Sequence, residues 1–106
     1  MEAAGLEDGK YDLGGQVVFV KSGAARLKNG QLAGSVLTLD EAVRNVMNIT
    51  DLSIPEIFRM ATLNPAQKLG IDHQIGRVEK NYFADLIILN KRFEVQKTFI
   101  RGKFIN

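Results

Sequence analysis

Cysteine is absent from the 106 residues, tryptophan is absent, and histidine occurs once. Without cysteine there are no disulfides and no thiolate-metal sites, which fits a reducing compartment and makes a cytoplasmic location the expectation. One histidine cannot build a catalytic zinc centre, which takes three protein ligands from spacings such as His-x-His. His73, flanked by Asp72 and Gln74, is therefore expected at the surface. No long apolar run exists either: the longest, Ala84 to Leu89, is interrupted by Asp85, so nothing is expected to span a membrane. The first residues show no basic-then-apolar pattern of a signal segment.

An excess of one charge is missing as well. Fourteen basic and twelve acidic residues leave +2, and Lys10, Lys21, Arg26, Lys28, Arg44, Arg59 and Lys68 are scattered among acids. No nucleic-acid partner is expected from such a footprint. Lys97, Arg101 and Lys103 are the one local enrichment, and read as a solvated strand face. With 45% hydrophobic and 25% charged residues the composition is that of an ordinary globular chain, and the length allows one small core.

What is present is a change of periodicity. Tyr11 to Leu32 is β-like, with the run Val17-Val18-Phe19-Val20, bends at Gly14-Gly15 and Gly23 and a turn signal at Asn29-Gly30, so two or three short strands are expected. Thr38-Leu39-Asp40-Glu41 has the form of a capping box, followed by Leu39, Ala42, Val43, Val46 and Met47 at helical spacing. Ser53-Ile54-Pro55-Glu56 repeats the device, with Ile54, Ile57, Phe58 and Ala61 on one face. The two helices are expected over 39–49 and 54–62. Asn64-Pro65 restarts a short helical turn carrying Ala66 and Leu69 and ending at Gly70. Ile75 to Val78, Ala84 to Leu89 and Phe93 to Ile100 are expected strands, the second buried on both faces, with a turn at Arg101-Gly102-Lys103 before Phe104 and Ile105. The fold class expected is α+β: an N-terminal β-hairpin region, two capped helices and C-terminal strands.

Candidate chemistry is sparse. Ser35 lacks the Gly-x-Ser-x-Gly elbow and is assigned to turn chemistry. Gly14-Gly15 does not open a helix, so it cradles no phosphate. Asp85 sits in an apolar strand and needs hydrogen-bond partners; it reads either as a carboxylate tying the preceding turn or, less simply, as a perturbed acid. Leu32-Ala33-Gly34 is the strongest site signal, because a small residue and a glycine let backbone amides approach a ligand. A plain β-to-helix connection explains the same residues equally well.

Gly5-Leu6 with Asp8-Gly9 and Tyr11, Leu13-Gly14-Gly15, Leu32-Ala33-Gly34-Ser35, Leu37-Thr38, Val43-Arg44-Asn45, Arg59-Met60-Ala61-Thr62 and Asn64-Pro65-Ala66 occur here in order. In these elements the chain resembles the C-terminal part of the N-acetylglucosamine-6-phosphate deacetylase family, within the metal-dependent amidohydrolase superfamily. Ala84-Asp85-Leu86 resembles a strand motif of the wider superfamily, with Asn81 where relatives usually turn on glycine.

The resemblance implies a longer parent with a (β/α)8 barrel and a small β-sandwich, of which 1–106 is one fragment: 1–70 ending the barrel and 71–106 giving sandwich strands. It implies that metal ligands, phosphate-holding residues and the catalytic aspartate lie upstream, the last two positions before Met1. This chain then has no catalytic and no metal-binding residue of its own, and a divalent metal of the zinc or iron class belongs to the parent. Leu32, Ala33 and Gly34 carry over as substrate contacts, Leu32 as an apolar contact and the other two through backbone approach. The implied reaction is conversion of N-acetylglucosamine 6-phosphate to glucosamine 6-phosphate and acetate, with the chain alone inert. Severed helix faces make a homo-oligomer the expectation. The alternative is a stand-alone non-catalytic binding domain.

Overall fold

Short strands joined by connections of two to four residues form the first unit, which ends at Thr38; a second unit begins at Leu39. The structure, a computed structural model, describes residues 3–105. In the first unit β1 (Gly9–Leu13), β2 (Gln16–Lys21), β3 (Ala24–Leu27) and β4 (Leu32–Gly34) pair antiparallel in chain order. The β1–β2 turn is Gly14-Gly15, with φ of +60° and +86°, the pair of positive dihedrals that matches the twist of a hairpin. Asp12 Oδ1 accepts from the Gly15 N–H at 2.9 Å. At the β2–β3 turn a serine takes the strained place: Ser22 has φ +51°, and both oxygens of Asp8 hold its N–H at 3.1 and 3.0 Å.

Alternation along β2 puts Val18 and Val20 inside. Val20 and Ala25 join Ala3 in a small cluster, against which Tyr11, Ala33 and Val36 pack. The sequence led to an expectation of two or three strands over this region; the fourth, β4, falls on residues expected as loop.

In the second unit α1 (Leu39–Ile49), α2 (Ile54–Ala61) and α3 (Leu63–Lys68) precede a sheet of β5 (Leu86–Leu89), β6 (Val95–Ile100) and β7 (Lys103–Phe104). The sheet is antiparallel in the order β5-β6-β7. Both helical stripes are present, and each helix buries one residue of its stripe, Val43 in α1 and Ile57 in α2. The start of α2 is fixed by Glu56, whose Oε2 accepts from the Ser53 backbone N–H (2.9 Å) and hydroxyl (2.6 Å). Gly70, at φ +72°, ends the short third helix, and the Ile71 N–H returns to Ala66 O at 3.0 Å.

Two expectations are corrected here. Ile75 to Val78 is not a strand but an irregular turn: Gly76 takes φ +91° and passes so close to α3 that a Cβ there would lie 3.1 Å from Leu63 Cα. Finally, β5 is not covered on both faces, for Ile87 and Ile88 are 52% and 49% exposed. The left-handed turn expected at Asn81 is present, with φ +73°.

Only eight described residues are buried, all apolar, whereas nineteen large apolar side chains are exposed. The accessible surface of 8108 Å² exceeds the roughly 7,100 Å² expected even for two separate compact units of these sizes. Much of the apolar surface patterned for burial is left uncovered.

Two outcomes follow from the local chemistry. Gly76→Ala combines a positive φ with a contact against backbone, and should lower the unfolding free energy by about 1–3 kcal/mol in denaturant titrations. Glu56 titrates below its ordinary value because the Ser53 hydroxyl and then the Ser53 N–H hold its charged form, with a smaller contribution from Arg59. A lowered folded pKa contributes stability that is present above the unfolded value and lost as pH falls through the folded one. NMR titration should place Glu56 below a peptide glutamate, and Ser53→Ala should move it back up.

Candidate functional site

Leu32, Ala33 and Gly34 form the edge strand of the first sheet. Their register against β3 is irregular: Gly34 lies opposite Ala25 and Leu32 opposite Arg26, so two residues of advance on β4 match one on β3. Ala33 is the extra residue of a bulge, a device that breaks the ladder and re-aims side chains. It turns inward onto the Val20 and Ala25 cluster, while Leu32 is 70% exposed. Gly34 is not among the glycines with positive φ. Left-handed freedom is therefore not what this position requires.

Neighbouring bonds hold the bulge in place. Arg26 Nη1 donates to Gly30 O at 2.8 Å, and Asn29 Oδ1 accepts from the Gln31 N–H at 3.1 Å, fixing the turn that leads into β4. Beyond it, Ser35 Oγ accepts from the Leu37 N–H at 3.1 Å, the turn chemistry expected of it. The three residues thus present one exposed apolar side chain and a bulged edge backbone. An edge strand has N–H and C=O groups with no second ladder partner, and a bulge spaces them irregularly. That suits an amide-bearing ligand better than it suits another strand.

The other candidates lie elsewhere in chemistry. His73 is exposed, and its Nε2 contacts Gln74 Nε2 at 2.8 Å. Among the described residues no group of three His, Cys, Asp or Glu side chains could hold a metal ion, so the donor set here does not fit the metal that the resemblance implies. Asp85 is exposed, and its Oδ1 accepts from the Arg101 N–H at 2.7 Å. It ties the turn after β6, where Arg101 has φ +51°, and not the turn before β5. Arg101 is not a plain solvated cation, since its guanidinium lies 3.6 Å above the Phe83 ring centroid.

Arg44, named in the sequence only as a scattered cation and within one element of the resemblance, has a structural role that was not read there. Its Nη1 donates to Asp40 Oδ2 at 2.8 Å and to Phe93 O at 2.9 Å, joining α1 to a β5–β6 turn in which Phe93 has φ +59°. The signal was available in part: Asp40 and Arg44 are four apart on a helix face. In the same turn Glu94 is held below its ordinary pKa by the Asn90 amide and then by Arg92.

A fold of two small antiparallel sheets with helices between them in sequence is shared with known proteins. The amidohydrolase family model matches residues 6–105, and the chain belongs to that family. It is 41% identical over 103 residues to an N-acetylglucosamine-6-phosphate deacetylase of Lysinibacillus sphaericus, covering 97% of this chain and 26% of that protein. An N-acetylgalactosamine-6-phosphate deacetylase of Escherichia coli O157:H7 is 39% identical, with 97% and 27% covered. Among solved structures, the N-acetylglucosamine-6-phosphate deacetylase of Pasteurella multocida superposes with a TM-score of 0.85 at 30% identity, over 97% of this chain and 27% of that one. The Thermotoga maritima enzyme gives 0.80 at 39% identity, over 98% and 28%. The chain therefore spans about a quarter of the length of these relatives.

Leu32 makes a clean probe of the site, because its exposure separates stability from contact. Leu32→Ala should leave the melting temperature within about 2 °C of the parent sequence, an effect of under roughly 0.5 kcal/mol. A larger loss would mean that Leu32 is part of the fold and not a free contact residue.

Proposed function

We propose that this chain is the C-terminal part of an N-acetylglucosamine-6-phosphate deacetylase, residues 1–70 completing the barrel and 71–106 supplying strands to a small sandwich. The observation that carries the reading is the near-complete coverage of the chain by deacetylases of which it spans a quarter. The exposed apolar surface of both units accords with it, being what elements lack when the rest of their fold is elsewhere. The parent is a soluble cytoplasmic enzyme whose divalent metal, of the zinc or iron class, and whose catalytic aspartate come from outside these residues. The chain by itself is inert.

In the parent, Leu32, Ala33 and Gly34 contact the acetamido end of the sugar phosphate. An acetamido group offers one N–H, one C=O and a methyl. The bulged backbone at Ala33 and Gly34 supplies complementary polar groups at close range, and Leu32 covers apolar surface. These residues orient the amide for hydrolysis to glucosamine 6-phosphate and acetate; they move no proton. The galactosamine epimer is a second substrate reading, favoured by the 39% identity to an enzyme named for it, and a stand-alone binding domain is the reading to be displaced.

A chimera in which these 106 residues replace the matching stretch of the Lysinibacillus deacetylase tests all three. It should release acetate from one of the two 6-phosphates, whereas the isolated chain releases none. Gly34→Val in the chimera places a strand-favouring side chain on β4, and should lower kcat/KM at least about tenfold, 1.4 kcal/mol of transition-state binding, with the melting temperature kept. An inactive but folded chimera contradicts the deacetylase reading; an unaffected Gly34→Val variant contradicts the site.

A further inference from the structure

The longest stretch of the sequence without an acid runs from Leu13 to Leu39, and its only charged residues are Lys21, Arg26 and Lys28. Folding brings the three together. They are the charged residues lining one open concavity of about 550 Å³ on the first unit, beside Phe19 and Ser22. All three are exposed, and among the described residues none of them forms an ion pair. One carboxylate borders the concavity, that of Asp8 on the Ser22 N–H, so three cations stand there against one anion.

The candidate site shares this face. Lys10, Phe19, Arg26 and Leu32 lie opposite one another across the four strands, and directly opposed residues of antiparallel strands project to the same side. Strands are spaced about 4.8 Å apart and rise about 3.4 Å per residue, which puts Arg26 next to Leu32 and all three cations within roughly 12 Å of it. That is well inside the Debye length of about 30 Å at 0.01 M salt, and comparable with the length of about 8 Å at physiological ionic strength. An anion arriving at β4 feels all three charges.

We propose that Lys21, Arg26 and Lys28 form a capture field for a phosphomonoester dianion, concentrating the sugar phosphate beside β4 before its acetamido end meets Leu32, Ala33 and Gly34. The inference rests on the deacetylase reading above, and gives a task to residues that touch neither the amide nor the metal. Charge selects the ligand: a phosphomonoester carries about −1.5 to −2 at neutral pH, whereas an uncharged N-acetyl sugar gains nothing from the field. Exposed lysines act here through space and need no fixed contact. Fields of this kind raise both the local concentration and the on-rate of an anionic substrate.

The chimera carrying these 106 residues tests the field without disturbing β4. Lys21→Glu with Lys28→Glu should leave kcat unchanged and lower kcat/KM for the 6-phosphate at least about fivefold at about 0.01 M ionic strength. At about 1 M, where the Debye length is about 3 Å, the difference should fall below about twofold. Lys21→Arg with Lys28→Arg keeps the charge and should match the unsubstituted chimera in both salts. An active chimera in which the Glu pair changes nothing at low salt, in which it lowers kcat/KM equally at both salts, or in which the Arg pair is impaired as much as the Glu pair overturns the capture field and leaves the deacetylase reading standing. A chimera that releases no acetate contradicts that reading, and the capture field falls with it.

Discussion

Apolar surface that the chain cannot cover by itself is the constraint on which everything else turns. Among the described residues eight side chains are buried, none of them polar, and they are divided between the two units. The rest of the order comes from backbone chemistry: paired positive dihedrals at hairpin turns, carboxylates that hold turn amides, a proline and a capped first turn in α2. Such devices are worth about 1 kcal/mol each and specify local geometry well. They do not replace a core. The elements are consequently sharp in outline while their faces stay open, and the open faces make sense as surfaces to be covered by the other three quarters of an amidohydrolase.

Local signals were legible in the sequence and long-range ones were not. The hairpin glycines, the Ser53 to Glu56 cap and the stop at Gly70 are each written in two to four consecutive residues, and each stands in the structure; the left-handed Asn81 came from the family resemblance and stands as well. Ile75 to Val78 misled because β-branched residues suggest a strand, whereas Gly76 is there to let backbone pass against Leu63. Ile87 and Ile88 misled in the opposite sense: the apolar run is a strand, but the inference that both faces are buried needs partners that this chain does not carry. Asp85 was rightly read as needing a donor, yet the donor lies sixteen residues later, beyond the reach of local pattern.

The candidate site shows the same division. Small residues at 33 and 34 are visible in sequence, and they are what suggested the loop as a candidate site. The bulge is not, since it exists only in the pairing of β4 with β3, and neither is the opposition of an inward Ala33 to an outward Leu32. Arg44 escaped for a related reason. Its bond to Asp40 follows from helical spacing, but its bond to Phe93 O spans 49 residues.

The heat-capacity change of unfolding tests the central claim most directly, because it measures the apolar surface that folding removes from water. It is best taken calorimetrically at several protein concentrations, so that any contribution from subunit dissociation is separated. A self-sufficient domain of this length would give about 1.3–1.6 kcal/mol/K. The account predicts a value well below that range; a value within it would mean that the chain buries its own core, and would contradict the reading of these residues as one part of a larger fold.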